Sequence, residues 1–386
     1  MTCPARTRPT PPAAEPATAV RRRAARGLAV PRHAAGIAAL LVPLLLAGCR
    51  PAAPQPSAPA AAPPTAVSRV PAVETAPAPA APRSVALAYT TTNAGTTPMW
   101  LAQEAGLFRE QGLDTTLVRI PAGTPMLAAL QNRDVVAAMA GGPAIVDAVL
   151  HGGDQVIVGS LTNYHNQALY SASAYPTVES LRGQAVGVSR YGASSDVAGR
   201  EALRRAGLEP GRDVAILQTG GNPESVAALQ AGTVQGIVVS PPLGLEVRRF
   251  GLNLLIDITS LRLPSPGSTV TTTRPYLRDE PAVMEKVLRA VIAGVHRYET
   301  DPEAAYGAIA RYTDVQDREV LADTYAYYKG RFQRDLYPSL AAIAAELDSR
   351  AGDVPAAASA RPEEFVDLAI VERLRASGYA DALYRQ

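Results

Sequence analysis

From residue 84 onward the apolar and polar positions follow two periods in turn. Short, nearly continuous apolar runs are bounded by Gly or Pro, and between them lie stretches with apolar residues three or four apart. The runs predict strands at Val85–Tyr89, Thr116–Ile120, Val135–Ala140, Val156–Ser160, Ala185–Ser189, Val214–Gln218, Gly236–Ser240 and Leu254–Ile258. The spaced stretches predict helices at Trp100–Phe108, Met126–Gln131, Ala144–Leu150, Asp196–Ala206, Ser225–Gln230 and Gly244–Phe250. Near-continuous apolar strands that alternate with helices belong to α/β lobes with largely parallel sheets. After Pro281 the strand pattern stops, and helices are predicted at Val283–Tyr298, Glu303–Tyr312, Arg318–Tyr328, Leu340–Ser349 and Glu364–Ser377. Pro362-Glu363-Glu364 opens the last of these as Pro and acids open a first turn, and Gly378 ends it.

One internal echo points to two lobes on a similar plan. Ala128-Ala129-Leu130-Gln131 is matched by Ala227-Ala228-Leu229-Gln230, and Gly142-Pro143 by Pro241-Pro242, each 99 residues further on. In both copies a strand ends at a Pro-containing turn, at the carboxyl edge where open α/β sheets bind ligands. Chance recurrence in an Ala-rich chain explains the tetrapeptide, but less easily the constant offset.

The first 83 residues do not read as fold. Arg21, Arg22, Arg23, Arg26 and Arg32 form a basic flank, followed by an apolar run from Ala34 to Ala47 and then Gly48-Cys49. That order describes a secretory signal peptide, and the run is short of the roughly 20 residues that a membrane span needs. Met1–Thr18 reads as Pro/Ala-rich filler, which points to a start downstream, for example at Val20. Leu46-Ala47-Gly48-Cys49 resembles the bacterial lipobox, which implies cleavage after residue 48 and a lipid on Cys49. Residues 49–83 are Pro/Ala-rich with almost no large apolar side chains, so they read as an extended tether. The remaining folded part, of about 300 residues, is long enough for two lobes.

Cleavage changes the chemistry. Residues 1–48 hold seven Arg and one Glu, so removing them turns a chain of net charge +2 into a mildly acidic one. An acidic body argues against nucleic acid as partner. The two Cys are Cys3 and Cys49, so the mature chain carries no disulfide, Cys nucleophile or Cys-based metal site. His33, His151, His165 and His296 are scattered and give no metal spacing. No Gly-x-Ser-x-Gly elbow, Walker-type lysine loop or dinucleotide fingerprint occurs, so no enzyme and no cofactor is expected.

Thr96-Thr97-Pro98-Met99-Trp100-Leu101-Ala102-Gln103-Glu104-Ala105-Gly106-Leu107-Phe108, with Gln111-Gly112-Leu113-Asp114 after it, resembles the start of the nitrate/sulfonate/taurine family of periplasmic solute-binding proteins. That family also takes in the thiamine-pyrimidine-synthase-like proteins. Leu181-Arg182-Gly183, Ala206-Gly207-Leu208 and Pro362-Glu363-Glu364-Phe365-Val366-Asp367 extend the resemblance to nearly everything after Ser84. It implies a type 2 periplasmic-binding fold, with two α/β lobes joined by two crossing strands and a helical C-terminal part. Lobe one would be 84–172 plus 265–386, lobe two 173–264, and the crossings Asn166–Ser173 and Ser268–Arg274. It also implies a monomeric solute-binding subunit of an ABC importer, working with a permease and its ATPase, extracytoplasmic and lipid-anchored to a membrane. The solute would be of sulfonate, taurine or nitrate type, taken up by hinge closure. A pyrimidine or other heteroaromatic solute is the alternative, as is a solute-sensing lipoprotein without transport. The Cys-rich motif of the fungal thiamine-pyrimidine synthases is missing, which disfavours their chemistry.

Capture needs convergent hydrogen-bond donors, and turns before helices supply backbone N–H groups and a dipole that favours anions. Four such turns stand out, and they nominate Thr92, Asn93 and Thr97, then Gly142 and Pro143, then Tyr191, Ser194 and Ser195, and then Asn222. Pro241 and Pro242 join them through the echo, Asn163 and Tyr164 as an amide and a wall near the cleft, and Trp100 as a stacking ring, with burial in the core as its equal alternative. Helix capping explains any one of the turn residues equally well. Arg190 is the nearest cation to these turns.

Overall fold

The computed structural model describes residues 81–248 and 251–385, all within one unit spanning Thr75–Gln386. The leader at 1–48, the lipidation expected at Cys49 and the tether as far as residue 80 lie outside the described residues. Ten strands form two five-stranded sheets: β1 (Arg83–Tyr89), β2 (Leu113–Arg119), β3 (Ala137–Ala140), β4 (Gln155–Tyr164), β5 (Ala168–Ser171), β6 (Ala185–Val188), β7 (Ala215–Gln218), β8 (Gly236–Val239), β9 (Asn253–Asp257) and β10 (Pro264–Thr273). The first sheet runs β2-β1-β3-β10-β4 and the second β7-β6-β8-β5-β9. In each, three parallel strands are followed by one antiparallel strand and a fifth. The sheets therefore share a plan, and the echoed Ala-Ala-Leu-Gln segments close the helices Thr124–Gln131 and Asn222–Gln230 that precede β3 and β8.

Each sheet is covered on both faces. In β1, Val85 and Leu87 pack with Trp100 and the C-terminal helices, while Ala88 points to the opposite face with Met126 and Ile145. The second sheet likewise separates Val186, Val188 and Leu203 from Ile237, Val239 and Leu229. The long helix Pro281–Thr300 buries Val283, Met284, Val287, Leu288, Val291, Val295 and Tyr298 against the first sheet. That three-and-four spacing is the stripe expected of an amphipathic helix.

The structure departs from the expected boundaries in four places, each for a physical reason. Several helices open two or three residues early, at Thr97, Thr124, Gly142 and Asn222, because the Pro after each sits in the first turn, where its missing N–H costs nothing. The helix expected at Trp100–Phe108 runs Thr97–Glu104 and breaks at Gly106, whose φ of +72° ends it. The helix expected at Glu364–Ser377 is split, because Phe365 and Val366 are buried and Val366 bridges to Ile157 of β4. The chain turns helical again only at Ala369. The crossings also differ. Ala168–Ser171 is paired on both sides within the second sheet, so that sheet begins before residue 173. Ser268–Thr273 lies inside the first sheet. The chain passes between the sheets at 165–167 and 258–263, where His165 N donates to Leu263 O (3.1 Å) and ties the two passages together.

Among the described residues no helix is long and apolar enough to cross a membrane.

Candidate functional site

The carboxyl ends of β1, β2, β3, β6 and β8 point toward one another across the gap between the sheets, and a cavity of about 310 Å³ lies there. Its wall on the first lobe includes Thr90, Thr91, Thr92, Asn93 and Thr96 after β1, Arg119, Pro121 and Ala122 after β2, and Met139, Ala140 and Gly141 after β3. The second lobe contributes Ser189, Arg190, Ala193, Ser194 and Ser195 after β6, Gly220, Gly221, Asn222 and Glu224 after β7, and Ser240 after β8. Asn166 and Gln167 of the first crossing and Gly267 and Ser268 of β10 complete it.

The four turns nominated from the sequence therefore do converge. Thr92, Asn93, Ser194, Ser195 and Asn222 line the cavity. Asn93 is held by its own turn, accepting from Gly95 N (2.9 Å) and donating to Thr91 Oγ1 (2.7 Å). Ser195 Oγ accepts from Ser189 N (2.9 Å), and Asn222 Nδ2 donates to Ser240 O (3.3 Å). These bonds are local caps and turn locks, so the same groups both shape the loops and face the cavity.

The other nominated residues stand elsewhere, for reasons of packing. Thr97 is fully buried and its hydroxyl donates to Ala94 O (2.7 Å). Trp100 falls mid-helix, buried in the core and stacked on Tyr312 with ring centroids 4.7 Å apart. Gly142 lies against Pro266, so close that a Cβ would stand 2.3 Å from Pro266 O. Pro143 offers its carbonyl to Arg350, away from the cavity. Asn163 bridges Tyr337 O (3.0 Å) and Ser339 N (3.1 Å). Tyr164 sits under Arg262 with its phenol raised above the ordinary tyrosine value by burial. Tyr191 is 57% exposed and turns outward to Ile216 O. Pro241 and Pro242 are buried, joined by a cis peptide bond, and Pro241 O accepts from Ala94 N of the other lobe (3.2 Å).

What the sequence reading missed is the floor. Thr90, Asn166, Gln167, Ser240 and Ser268 are all at least nine-tenths buried and polar. Asn166 Nδ2 donates to Tyr328 OH (3.2 Å), and Ser268 N to Thr162 Oγ1 (3.1 Å). Position was the available signal: Thr90, Ser189 and Ser240 each directly follow a parallel strand, at the edge where such sheets bind ligands. Two cations were also missed or underweighted. The side chains of Arg119, from the first lobe, and Arg190, from the second, make no ion pair or hydrogen bond among the described residues. Among the described residues Glu224 is the one acidic residue of the lining, and no Lys, His, Cys or aromatic side chain takes part in it.

Hydroxyl and amide groups, helix starts and two guanidinium groups without a partner among the described residues surround a small volume, a set of donors that can hold an anion. No group of three or more His, Cys, Asp or Glu among the described residues is placed to hold a metal ion.

The sequence profile of the NMT1-like family matches residues 78–312, more than half of the chain. No curated protein matches the chain in sequence. Among solved structures, a protein from Bordetella bronchiseptica RB50 is 17% identical, over 78% of this chain and 98% of that one, with a TM-score of 0.67. The alkanesulfonate-binding protein SsuA from Xanthomonas axonopodis pv. citri, bound to MOPS, is 21% identical over 76% of this chain and 99% of its own, with a TM-score of 0.62. The periplasmic nitrate-binding protein NrtA from Synechocystis PCC 6803 is 13% identical over 76% and 89%, with a TM-score of 0.65. Identities at this level speak for the fold, which is that of the periplasmic binding proteins.

Proposed function

The chain belongs to the NMT1-like family, and from that premise we propose that it is the solute-binding subunit of an ABC importer, capturing a small non-aromatic anion between its lobes. The observation that carries this reading is the lining of the inter-lobe cavity: polar side chains from both lobes, two unpaired arginines and no aromatic ring. Among the described residues the lining offers a heteroaromatic solute no aromatic side chain, while two guanidinium groups suit charge-assisted hydrogen bonds to an anion, so sulfonate, taurine or nitrate chemistry is favoured over a pyrimidine. Closure of the lobes would complete the donor set and exclude water, after which the closed form would dock on a permease served by an ATPase. Thr92, Asn93, Ser194, Ser195 and Asn222 are the proposed ligand contacts, joined by Arg119 and Arg190. Leu46-Ala47-Gly48-Cys49 supports export and a lipid anchor on Cys49, with residues 49–83 as tether. The lobes would divide near residues 168 and 264, and the protein would act outside the cytoplasm as a monomer.

A thermal-shift and calorimetric screen of the purified protein against ethanesulfonate, taurine, nitrate and pyrimidines tests the reading. Saturable one-to-one binding by an anion, abolished in Arg119→Gln/Arg190→Gln, is expected. Binding only by pyrimidines, or turnover of any of these compounds, overturns it. For the anchor, Cys49→Ala should leave the protein in the soluble fraction of the cells that express it.

A further inference from the structure

Arg350 takes no part in the cavity lining, yet it reaches both of its walls. It ends the helix Leu340–Arg350 and is only 8% exposed. Its Nη1 pairs with the Glu346 carboxylate one turn back and also donates to Glu346 O (3.0 Å). Its Nη2 donates to Pro143 O (3.2 Å) in one direction and to Gly192 O (3.4 Å) in the other. Pro143 belongs to the first turn of the helix behind Gly141, a wall residue of the first lobe. Gly192 belongs to the loop that carries Arg190, Ser194 and Ser195, wall residues of the second lobe.

Glu346, 1% exposed, anchors this group to the passages between the sheets. It accepts from Ser265 Oγ (2.6 Å), at the start of β10, and stands 3.6 Å from His165 Nε2 in the first passage. A buried guanidinium needs partners for its planar fork of donors. One edge of the fork is satisfied within its own helix, whatever the lobes do. The other edge is shared between the lobes, with Pro143 O on one side and Gly192 O on the other. A pair that served the helix alone would require no contact with Gly192.

We propose that Arg350 is a positioning residue for capture: from behind the cavity it ties the loop Arg190–Ser195 to the start of the helix Gly142–Leu150, so that both walls hold their closed geometry together. The assignment rests on the reading of the cavity as the solute site, but its test needs no solute, so failure of either is distinguishable.

The test is hydrogen exchange on the full-length protein without added solute. Arg350→Lys keeps a charge beside Glu346 but offers one nitrogen in place of two, which cannot hold the carboxylate and reach both carbonyls at once, and Glu346→Gln/Arg350→Met removes the buried charge altogether and guards against misfolding of a single variant. In both, the amides of 192–197 and 144–149 should exchange at least tenfold faster than in the parent, while helix Pro281–Thr300 keeps its protection. Unchanged exchange at 192–197 overturns the proposal. So does a rise of equal size in Pro281–Thr300, which would make Arg350 a general prop of the fold.

Discussion

At Gly294 the helix Pro281–Thr300 meets the helix Thr97–Glu104 so closely that a Cβ would lie 2.0 Å from Pro98 O. A backbone oxygen cannot rotate out of the way. Gly294→Ala should therefore cost about 1–3 kcal/mol of unfolding free energy, read from urea denaturation. His165 makes a second prediction. Burial lowers its pKa, with Arg350 acting in the same direction while Glu346 and Glu201 oppose it. The unfolded chain, titrating near about 6.5, then takes up the proton first. Stability is fully present above that value and falls as pH drops through it toward the depressed native value. The melting temperature should decline between pH 7 and 5, and His165→Gln should flatten that slope even if it lowers the melting temperature overall.

Trp100 shows at the scale of the element how a local reading can fail. Its place in Thr97-Pro98-Met99-Trp100 suggested a helix start facing a ligand, but Pro98 moves the start back to Thr97 and rotates the ring into the core, edge-on to Tyr89 and flat against Tyr312. As the chain has a single Trp, its fluorescence reports this stack alone. Emission should be blue-shifted, unquenched by iodide and indifferent to any solute in the cavity, and Tyr312→Ala should shift it to the red. The strands and the alternation of lobes were legible because apolar runs of β-branched residues have few other uses. The four turns were legible because Gly, Ser, Thr and Asn before a helix have a mechanical meaning. Asn166, Gln167 and Arg119 were not, because nothing local marks a residue that becomes functional only when two distant strands end at the same place. Val366 was hidden for a related reason: its bridge to Ile157 depends on a partner more than two hundred residues away.

The whole molecule places its charges asymmetrically about the cavity: Arg119 on one lobe, Arg190 on the other, and Glu224 beside Gly221. If an anion is held between the two guanidinium groups as proposed, it would neutralise both only when the lobes are together, so closure and charge compensation would be one event. Arg119→Gln or Arg190→Gln alone should weaken anion binding by about tenfold, in line with loss of one charge-assisted contact. In titration calorimetry the effect should shrink as salt is raised. A solute at about a hundred times its Kd should raise the unfolding free energy by about 2.7 kcal/mol, and at the same concentration this gain should fall to about 1.4 kcal/mol in a variant that binds tenfold more weakly. Gly141 marks how far the approach goes. A Cβ there would come within 2.7 Å of Ser194 Oγ from the facing lobe, although its φ of −69° would suit any residue. Gly141→Val should consequently behave as a doorstop. Each half would fold and melt as before, but the jaws would stay ajar, and scattering with and without solute would show little contraction. On the proposed reading the missing side chain would then govern how long cargo stays, and a graded series of substituents at this one position would convert the same body into a set of sensors of stepped affinity.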